Sequence, residues 1–457
     1  MPNTLYLPEL REMLAENDSE QLREFCAALH AARTAEFMEG LTAGESWAVL
    51  QHAEPGRRGE IFGYFDFDKQ VELIESADRS EMGRLIASLP ADDRVDILKD
   101  CRPEIVEQLL PLIPVGERRD ILRLTSYHEG TAGAMMTSQF ARLSADCTVR
   151  QALQEITRQA ETLETIYYLY VVDGENHLQG AVSARQLVST MGRPETPIRD
   201  IMERGMVTVD VHDDQDHVAE EVARYDLLAI PVVDEERHML GIITHDDVID
   251  LVREEAARDV QKIAAVQPLE SSYLETRLLT LTRKRGLWLT VLFFAGLLTT
   301  FTLRSMGHEI SSIEWLVAFI PLIISSGGNS GSQSATLIIT ALNSDNLRLA
   351  DWGRVVRREL VMGLMLGGFL GTIGYLAAVT AHPEHHFYQA LVVPLTLLLV
   401  ITAGTLVGAS LPLVFHGLGL DPALMSNPCV AGIIDILGII IYLNVAAWLM
   451  GPFGGSA

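Results

Sequence analysis

The sequence GGNSGSQS, residues 327–334, stands inside an apolar stretch that runs over about residues 313–342. About 20 apolar residues suffice for a helix to span a bilayer. Four further stretches of this kind lie near 287–304, 360–381, 388–415 and 429–450. A run of Gly, Asn, Ser and Gln favours a broken helix that lines a watery cavity or is buried in protein; a re-entrant or flexible turn is the alternative. We therefore expect a five-span α-helical membrane domain.

The basic residues around these stretches predict an orientation. Arg283, Lys284 and Arg285 precede the first span, and four arginines lie between the second and third spans. The loops 305–312 and 382–387 contain no Lys or Arg. The positive-inside rule therefore places the N-terminal part in the cytoplasm and makes the chain a multi-pass protein of the inner membrane.

Asp435 is the only charged residue between Cys429 and Met450. An ionised carboxylate at this depth is costly unless it is paired or hydrated, and the span offers no Lys or Arg. A passing cation is the expected partner; an Asp that only fixes packing is the alternative. Asp421, ahead of this span, is either a second carboxylate at the cytosolic mouth or a helix N-cap. Oxygen ligands without Cys or His favour a hard cation such as Mg²⁺.

The part of the chain ahead of the spans is strongly acidic. Residues 1–286 contribute −23 to the formal net charge of −26. Nucleic-acid binding needs clustered Lys and Arg, so we expect no nucleic-acid partner and favour cation binding. The four cysteines form no C-x-x-C pair, and the histidines at 382, 385 and 386 are expected in a solvated external loop. No P-loop, G-x-S-x-G or H-E-x-x-H motif is present, so we expect no enzyme.

The acidic part divides into two regions. In residues 1–130, helix-start signals recur every 11 to 13 residues, which predicts a small helical solenoid. Residues 167–188 then match residues 227–250 with an offset of 61, so that Asp173 pairs with Asp234 and Gly180 with Gly241. Each half is predicted as helix, strand, turn, strand, helix. One more helix is predicted over residues 254–280, leading into the first span.

Together these motifs resemble the MgtE family of magnesium channels over nearly the whole chain. The GGNSGSQS segment, the Asp421-Pro422-Ala423 start of the last span and the paired VVD segments carry the resemblance. It implies four parts: a superhelical N domain (1–130), tandem α/β CBS domains (131–255), a connecting plug helix (256–284) and the pore domain (285–457). It also implies a homodimer with a Mg²⁺ pore that closes when cytosolic Mg²⁺ is high.

The resemblance also assigns site residues. Asp435, Asn329 and Asp421 are expected to bind metal in the pore. Ligands of regulatory Mg²⁺ are expected at Glu60, Asp92, Asp96, Asp214, Asp216, Ala223, Asp226, Asp247, Asp250, Glu255 and Asp259, with Ala223 contributing a backbone oxygen. CBS pairs also bind adenine nucleotides, and Thr244 with Asp247 fits a T-x-x-D ribose motif, so ATP is a further expected ligand.

The sequence departs from the family pattern at five positions. Asn427, Cys429, Ala431 and Gly432 stand near Asp435 where the family commonly has Gly, Phe, Thr and Thr, a change that could admit Mn²⁺ or Co²⁺. Arg258 stands where the family often has an acid, which would weaken a sensor site. Two other functions stay open: a Na⁺- or H⁺-coupled exporter of Mg²⁺ or Co²⁺, and a membrane sensor that transports nothing.

Overall fold

The computed structural model describes residues 6–450, apart from 161–162, 270–272, 275, 306–313, 344–346 and 382–388. The chain forms two compact units, Met1–Val252 and Arg253–Ala457. The first unit contains helices and two small sheets, and the described part of the second is helical. The predicted histidine cluster at 382, 385 and 386 lies outside the described residues.

The first unit begins with a stack of short helices. They are α1 (Leu7–Glu16), α2 (Ser19–Ala28), α3 (Ala31–Met38), α4 (Ala43–Leu50), α5 (Pro55–Gly63), α6 (Phe67–Ser76), α7 (Arg79–Ala87), α8 (Ala91–Asp100), α9 (Pro103–Leu109) and α10 (Val115–Leu124). Local signals set their starts: Asp78 accepts hydrogen bonds from the backbone N–H groups of Ser80 and Glu81, and Pro55 and Pro103 occupy first-turn positions. From α3 onward each helix packs against the next but one. The predicted helical N domain is confirmed.

Two similar α/β repeats follow. Their elements are α11 (Ala132–Met135), β1 (Phe140–Ser144), α12 (Val149–Gln159), β2 (Thr165–Val172), β3 (Leu178–Ser183), α13 (Ala184–Thr190), β4 (Val209–Asp210), α14 (Gln215–Arg224), β5 (Ala229–Val233), β6 (Met239–Thr244) and α15 (His245–Ile263). The sheets have the orders β1-β2-β3 and β4-β5-β6. In each sheet the first pair is parallel and the second antiparallel. The predicted duplication is confirmed.

The hairpin turns of the two repeats are built alike and touch each other. Asp173 accepts a hydrogen bond from the backbone N–H of His177 at 2.9 Å, and Asp234 does the same for His238 at 2.8 Å. The two imidazole rings stack with centroids 4.3 Å apart. Equivalent Asp side chains therefore hold equivalent turns together at the contact between the repeats.

The paired glycines, Gly180 and Gly241, lie where a neighbouring backbone leaves no room for a side chain. A Cβ on Gly180 would lie 2.3 Å from the carbonyl oxygen of Glu203, and one on Gly241 would lie 2.7 Å from that of Thr137. In both repeats a neighbouring segment runs directly over the second hairpin strand. Glycine is needed there because the two backbones approach each other closely.

The connecting helix differs from its prediction. α15 ends at Ile263, and the helix expected over 254–280 is therefore wrong beyond that residue. Ala265 takes a left-handed φ of 58°, and the Val266 N–H bonds back to the carbonyl of Gln261, which is a helix-ending pattern. Pro268 then offers no N–H to continue the ladder.

The second unit contains the long apolar helices. They are α16 (Leu278–Ser305), α17 (Glu314–Val317), α18 (Ile320–Asn343), α19 (Trp352–Ala381), α20 (Val392–Gly417) and α21 (Pro422–Met450). Within the described residues, four segments are long and apolar enough to cross a membrane: Leu278–Arg304, Leu349–Thr380, Gln389–Gly417 and Pro422–Met450. With 24 residues, α18 is also long enough for a bilayer, but its polar residues lower its hydropathy. The count of five spans stays a prediction.

The segment GGNSGSQS does not break its helix. Residues 327–334 lie in the uninterrupted α18, so the predicted break is wrong. A Cβ on Gly404 of α20 would lie 2.5 Å from the carbonyl oxygen of Gly327, and one on Gly408 would lie 2.1 Å from that of Gly331. The glycines serve close helix packing, while the helix satisfies its own backbone groups.

A second glycine face joins α19 to α20. Each Cβ added at Gly363, Gly367 or Gly371 would come within 3.0 Å of α20. α20 therefore packs between α18 and α19 with backbone-to-backbone contacts on both sides. Small residues at these positions allow the close approach of helices within one chain.

Candidate functional site

Asp435 lies on α21 and is half-buried. Among the residues that the structure describes, none forms a hydrogen bond or an ion pair with its carboxylate. The contacts of Gly327 with Ile434 and of Gly331 with Val430 show that α18 and α21 run antiparallel here. Asp435 therefore lies within about one helical turn, along the axis, of the level of Asn329.

Asn329 belongs to a polar row on α18. Ser325, Asn329 and Gln333 are exposed at every fourth position, and Asn329 Nδ2 donates to Ser325 Oγ at 3.3 Å. Gly327 and Gly331 lie on the buried face. The helix thus turns its small residues toward α20 and the amides of Asn329 and Gln333 away from the other helices of the chain.

The C-terminal end of α15 meets one end of the membrane helices. Lys262 Nζ lies 3.2 Å from an Asp421 carboxylate oxygen, and Asn343 Nδ2 donates to Asp259 at 2.8 Å. Asp421 also accepts a hydrogen bond from the backbone N–H of Ala423, as expected of a helix N-cap, which is one of the two roles open to it. The ammonium of Lys262 stands beside Asp421 where a cation would otherwise be attracted.

Several of the departing residues have local partners. Arg258 pairs with Glu254 at 2.7 Å and with Glu255 at 2.6 Å, so an internal cation neutralises an expected metal ligand. Asn427 Nδ2 donates to the carbonyl of Ile263 at 2.9 Å. Gly432 faces α16, where an added Cβ would lie 3.3 Å from the Ala295 Cβ.

An acidic cluster forms in the first unit. It consists of Asp92 and Asp93 on α8, Glu164 ahead of β2, and Asp247 at the start of α15. Burial, together with the charge of Asp247, raises the pKa of Glu164 to about 7 and the pKa of Asp92 well above its ordinary value. Asp92 Oδ1 is buried and has no hydrogen-bond partner among the described residues. An unsatisfied carboxylate beside other acids is unfavourable in its ionised form without a counter-charge.

The other expected regulatory ligands are dispersed. Glu60 pairs with Arg57 on its own helix, and Asp214 caps α14 by accepting from the Asp216 N–H. Ala223 is exposed near the end of α14, and Asp226 follows that helix with a left-handed φ of 51°. The remaining ones are Asp96 on α8, and Asp250, Glu255 and Asp259 on α15. Within the described residues, no three acidic, His or Cys side chains converge on one ion position.

The expected nucleotide pair is bonded to itself. Thr244 Oγ1 donates to Asp247 Oδ2 at 2.6 Å, and in the first repeat Ser183 and Gln186 form the matching helix cap. A cavity of about 430 Å³ lies beside that first cap and is lined by Tyr167, Tyr168, Ser183, Arg185, Gln186 and Glu203, among others. Thr244 and Asp247 do not line it.

Sequence reasoning missed two acids, Glu164 and Glu359. Glu164 stands in a loop without a motif, so only the fold brings it to Asp92 and Asp247. Glu359 lies one residue before the predicted third span, so its position predicts a solvated charged residue that flanks the membrane helix. In the structure it is 9% exposed and accepts a hydrogen bond from Ser334 Oγ at 2.7 Å. The sequence feature that could have identified Glu359 is the position of an acidic residue directly beside an apolar stretch.

Family models match three regions of the chain. A divalent cation transporter model, MgtE, matches residues 320–445, and a model of the MgtE intracellular N domain matches residues 29–130. CBS domain models match residues 132–193 and 198–254. The matches follow the same order along the chain as the helical stack, the two repeats and the membrane helices.

Full-length relatives and solved structures agree with these models. Magnesium transporter MgtE of Thermus thermophilus is 38% identical over 72% of this chain and 72% of its own, and that of Enterococcus faecalis is 37% identical over 72% and 71%. The soluble part of a magnesium transporter covers 55% of this chain and 98% of its own at 34% identity, with a TM-score of 0.52. The cytosolic domain of the Mg²⁺ channel MgtE in complex with ATP covers 53% and 98% at 31% identity, with a TM-score of 0.50. The chain, a multi-pass membrane protein, belongs to the MgtE family of divalent cation transporters.

Proposed function

We propose that two copies of this chain form a channel that carries Mg²⁺ into the cell across the inner membrane. The carboxylate of Asp435 on a membrane helix, which has no hydrogen-bond or ion-pair partner among the described residues, is the observation that carries the proposal. Hydrocarbon cannot stabilise such a charge, whereas a partly hydrated Mg²⁺ passing by can. Relatives named magnesium transporters support the choice of ion.

The exposed polar row on α18 supports the homodimer. Ser325, Asn329 and Gln333 face outward from one protomer, where lipid offers no hydrogen-bond partners. A second copy related by a two-fold axis would cover this row with the same row of its own. Asn329 and Asp435 from both copies would then surround one water-filled path.

Charge distribution supports the direction of transport. Arg283 and Arg285 are exposed at the start of α16, and Arg357 and Arg358 are exposed at the start of α19. The positive-inside rule assigns this end of the helices, and with it the acidic N-terminal unit, to the cytoplasm. A membrane potential of 100 mV, negative inside, then favours entry of a divalent cation by about 4.6 kcal/mol.

Flux into liposomes separates the candidate mechanisms. With the purified chain alone, we expect Mg²⁺ entry that follows an imposed K⁺ diffusion potential and is indifferent to Na⁺ and pH gradients. Entry that follows a Na⁺ or H⁺ gradient instead would support the coupled exporter. Absence of flux under every gradient would support the sensor that transports nothing. The same assay with Mn²⁺ or Co²⁺ tests whether Asn427 and Cys429 admit softer ions.

We further propose that cytosolic Mg²⁺ closes the channel by binding between acids of the first unit and along α15. In the first unit, the cluster of Asp92, Glu164 and Asp247 is electrostatically unfavourable without a cation. At the end of α15, the ion pair between Lys262 and Asp421 and the bond from Asn427 to Ile263 would hold this helix against the pore mouth. Because Arg258 and Lys262 are fixed charges, part of this closure would need no Mg²⁺.

The acidic cluster predicts a pH-dependent stability that Mg²⁺ removes. In chelator, the pKa of Glu164 near 7 lies above that of an unfolded Glu, so the folded state retains its proton when the unfolded state has lost it. Stability should therefore fall as pH rises from about 4.5 to 7, by up to about 3 kcal/mol from this group. We expect the melting temperature of the purified chain to decrease over this range and to recover in millimolar Mg²⁺.

A neutral variant checks the origin of this effect. Glu164→Gln removes one titrating charge of the cluster and should reduce the fall in stability with pH in chelator, while the part that comes from Asp92 and Asp93 remains. Glu175→Gln, an exposed acid of the same repeat, should leave the profile unchanged. A profile in Glu164→Gln that equals that of the parent chain, or a parent profile that Mg²⁺ does not alter, would argue against the cluster as a cation site.

For a nucleotide, we propose the cavity beside β3 and α13. Tyr167 and Tyr168 offer aromatic faces for a base, and Arg185 offers a cation for phosphate. The structure of a relative's cytosolic domain with ATP supports this class of ligand. Nucleotide binding by Thr244 and Asp247 in the second repeat stays a prediction.

A further inference from the structure

The membrane helices enclose a second acid, Glu359. It lies about two turns into α19 with 9% of its surface exposed, whereas Arg357 and Arg358 beside it are exposed. A buried carboxylate among apolar helices is costly unless a donor satisfies it. The group that donates a hydrogen bond to the Glu359 carboxylate therefore indicates the structural role of this residue.

Glu359 joins three helices at one level. Ser334 Oγ of α18 donates to Glu359 Oε2 at 2.7 Å, and Thr405 Oγ1 of α20 donates to the Glu359 backbone oxygen at 3.1 Å. All three residues are buried. The carboxylate thus links α18 and α19 directly, across the edge of the helix that packs between them.

Ser334 lies on the buried face of α18, together with Gly327 and Gly331. α18 meets α20 through Gly327 and Gly331, which carry no side chains that could interlock. Ser334 comes less than one turn after Gly331, and Asn329 lies five residues before Ser334, about 140° around the helix. Fixing Ser334 to Glu359 therefore fixes the direction in which Asn329 points.

We propose that Glu359, through its hydrogen bond from Ser334, is a positioning residue that holds α18 so that Asn329 faces the ion path. The inference rests on the proposed function, because Asn329 matters to transport only if α18 lines the path. The carboxylate itself stays on the buried side of the helix and does not touch the ion.

Paired substitutions test the bond. Glu359→Ala and Ser334→Ala should each raise the half-saturating Mg²⁺ concentration for liposome flux by roughly tenfold, the effect of losing a hydrogen bond to a charged group. The double variant should be no worse than either single one. Glu359→Gln keeps an oxygen that accepts from Ser334 and should stay within about twofold of the parent chain.

Thr405→Val is the matched control, since it removes the other hydroxyl bonded to Glu359 but leaves its carboxylate held. We expect its half-saturation to be unchanged. Equal losses in Glu359→Gln and Glu359→Ala, additive losses in the double variant, or parent-like flux in Ser334→Ala would each overturn the proposal. If Glu359→Ala does not fold, Ser334→Ala and Glu359→Gln still decide. Parent-like flux in Asp435→Ala would instead refute the proposed function beneath it.

Discussion

Replacing Asp435 with Ala should reduce voltage-driven Mg²⁺ flux by at least roughly a hundredfold, because the proposed dimeric path then lacks its anionic ligand from both copies. The side chain is half-buried and has no hydrogen-bond or ion-pair partner among the described residues, so the substitution breaks no hydrogen bond or ion pair with them. Folding should therefore be preserved. Flux in liposomes and elution of the variant as an intact oligomer measure the two effects separately.

Asn444→Leu is the matched control on the same helix. Asn444 lies nine residues after Asp435, on the opposite face of α21, and its amide donates to the carbonyl of Ile440 in its own helix. Its replacement should leave flux unchanged. Full flux through Asp435→Ala, or an equal loss in Asn444→Leu, would contradict the assignment of Asp435 to the ion path.

Replacing Gly408 with Ala should destabilise the membrane domain strongly. The added Cβ would lie 2.1 Å from the carbonyl oxygen of Gly331 and 2.9 Å from its Cα, so two helix backbones must separate. Overpacking of this kind costs about 1–3 kcal/mol or more. We expect a large fall in the melting temperature of the detergent-solubilised chain and a loss of yield.

Gly368→Ala is a control that should raise stability, whereas Gly408→Ala should lower it. No atom lies within 4 Å of a Cβ built at Gly368, although its neighbour Gly367 packs against α20. Alanine stabilises an exposed helix position by about 1 kcal/mol relative to glycine. A Gly408→Ala chain as stable as Gly368→Ala would mean that α18 and α20 do not pack through their glycines.

The sequence was sufficient for the features that local patterns determine. The duplication located Asp173, Asp234, Gly180 and Gly241, and the structure gives each pair the same role in its repeat. The helix-start signals predicted the N-terminal stack. In both cases the deciding contacts lie close in sequence or recur at a fixed offset.

The predicted helix break at residues 327–334 was wrong because glycine can either interrupt a helix or allow two helices to pack closely. In water-soluble proteins a Gly-rich run argues against a helix, and this reasoning predicted a break at 327–334. In α18 the same residues allow backbone contact with α20, which depends on a partner helix about 75 residues later. The spacing of Gly327 and Gly331 matches that of Gly404 and Gly408 and was the available signal.

The site was predictable only in part for the same reason. Asp435 stood out because charge is rare in an apolar stretch. The ion pair between Lys262 and Asp421 joins residues 159 positions apart, and the hydrogen bond between Ser334 and Glu359 joins residues 25 positions apart. No local sequence pattern predicts either contact. Glu164 meets Asp247 only because the repeats fold beside α8.

The most direct test of the account is Mg²⁺ flux through the purified chain in liposomes, driven by voltage, with and without millimolar Mg²⁺ on the face that carries the acidic unit. The account predicts entry at low Mg²⁺ and strong suppression at high Mg²⁺ on that face alone. Flux that ignores Mg²⁺ there would contradict the regulatory role of the acids, and absence of voltage-driven flux under both conditions would contradict the channel itself.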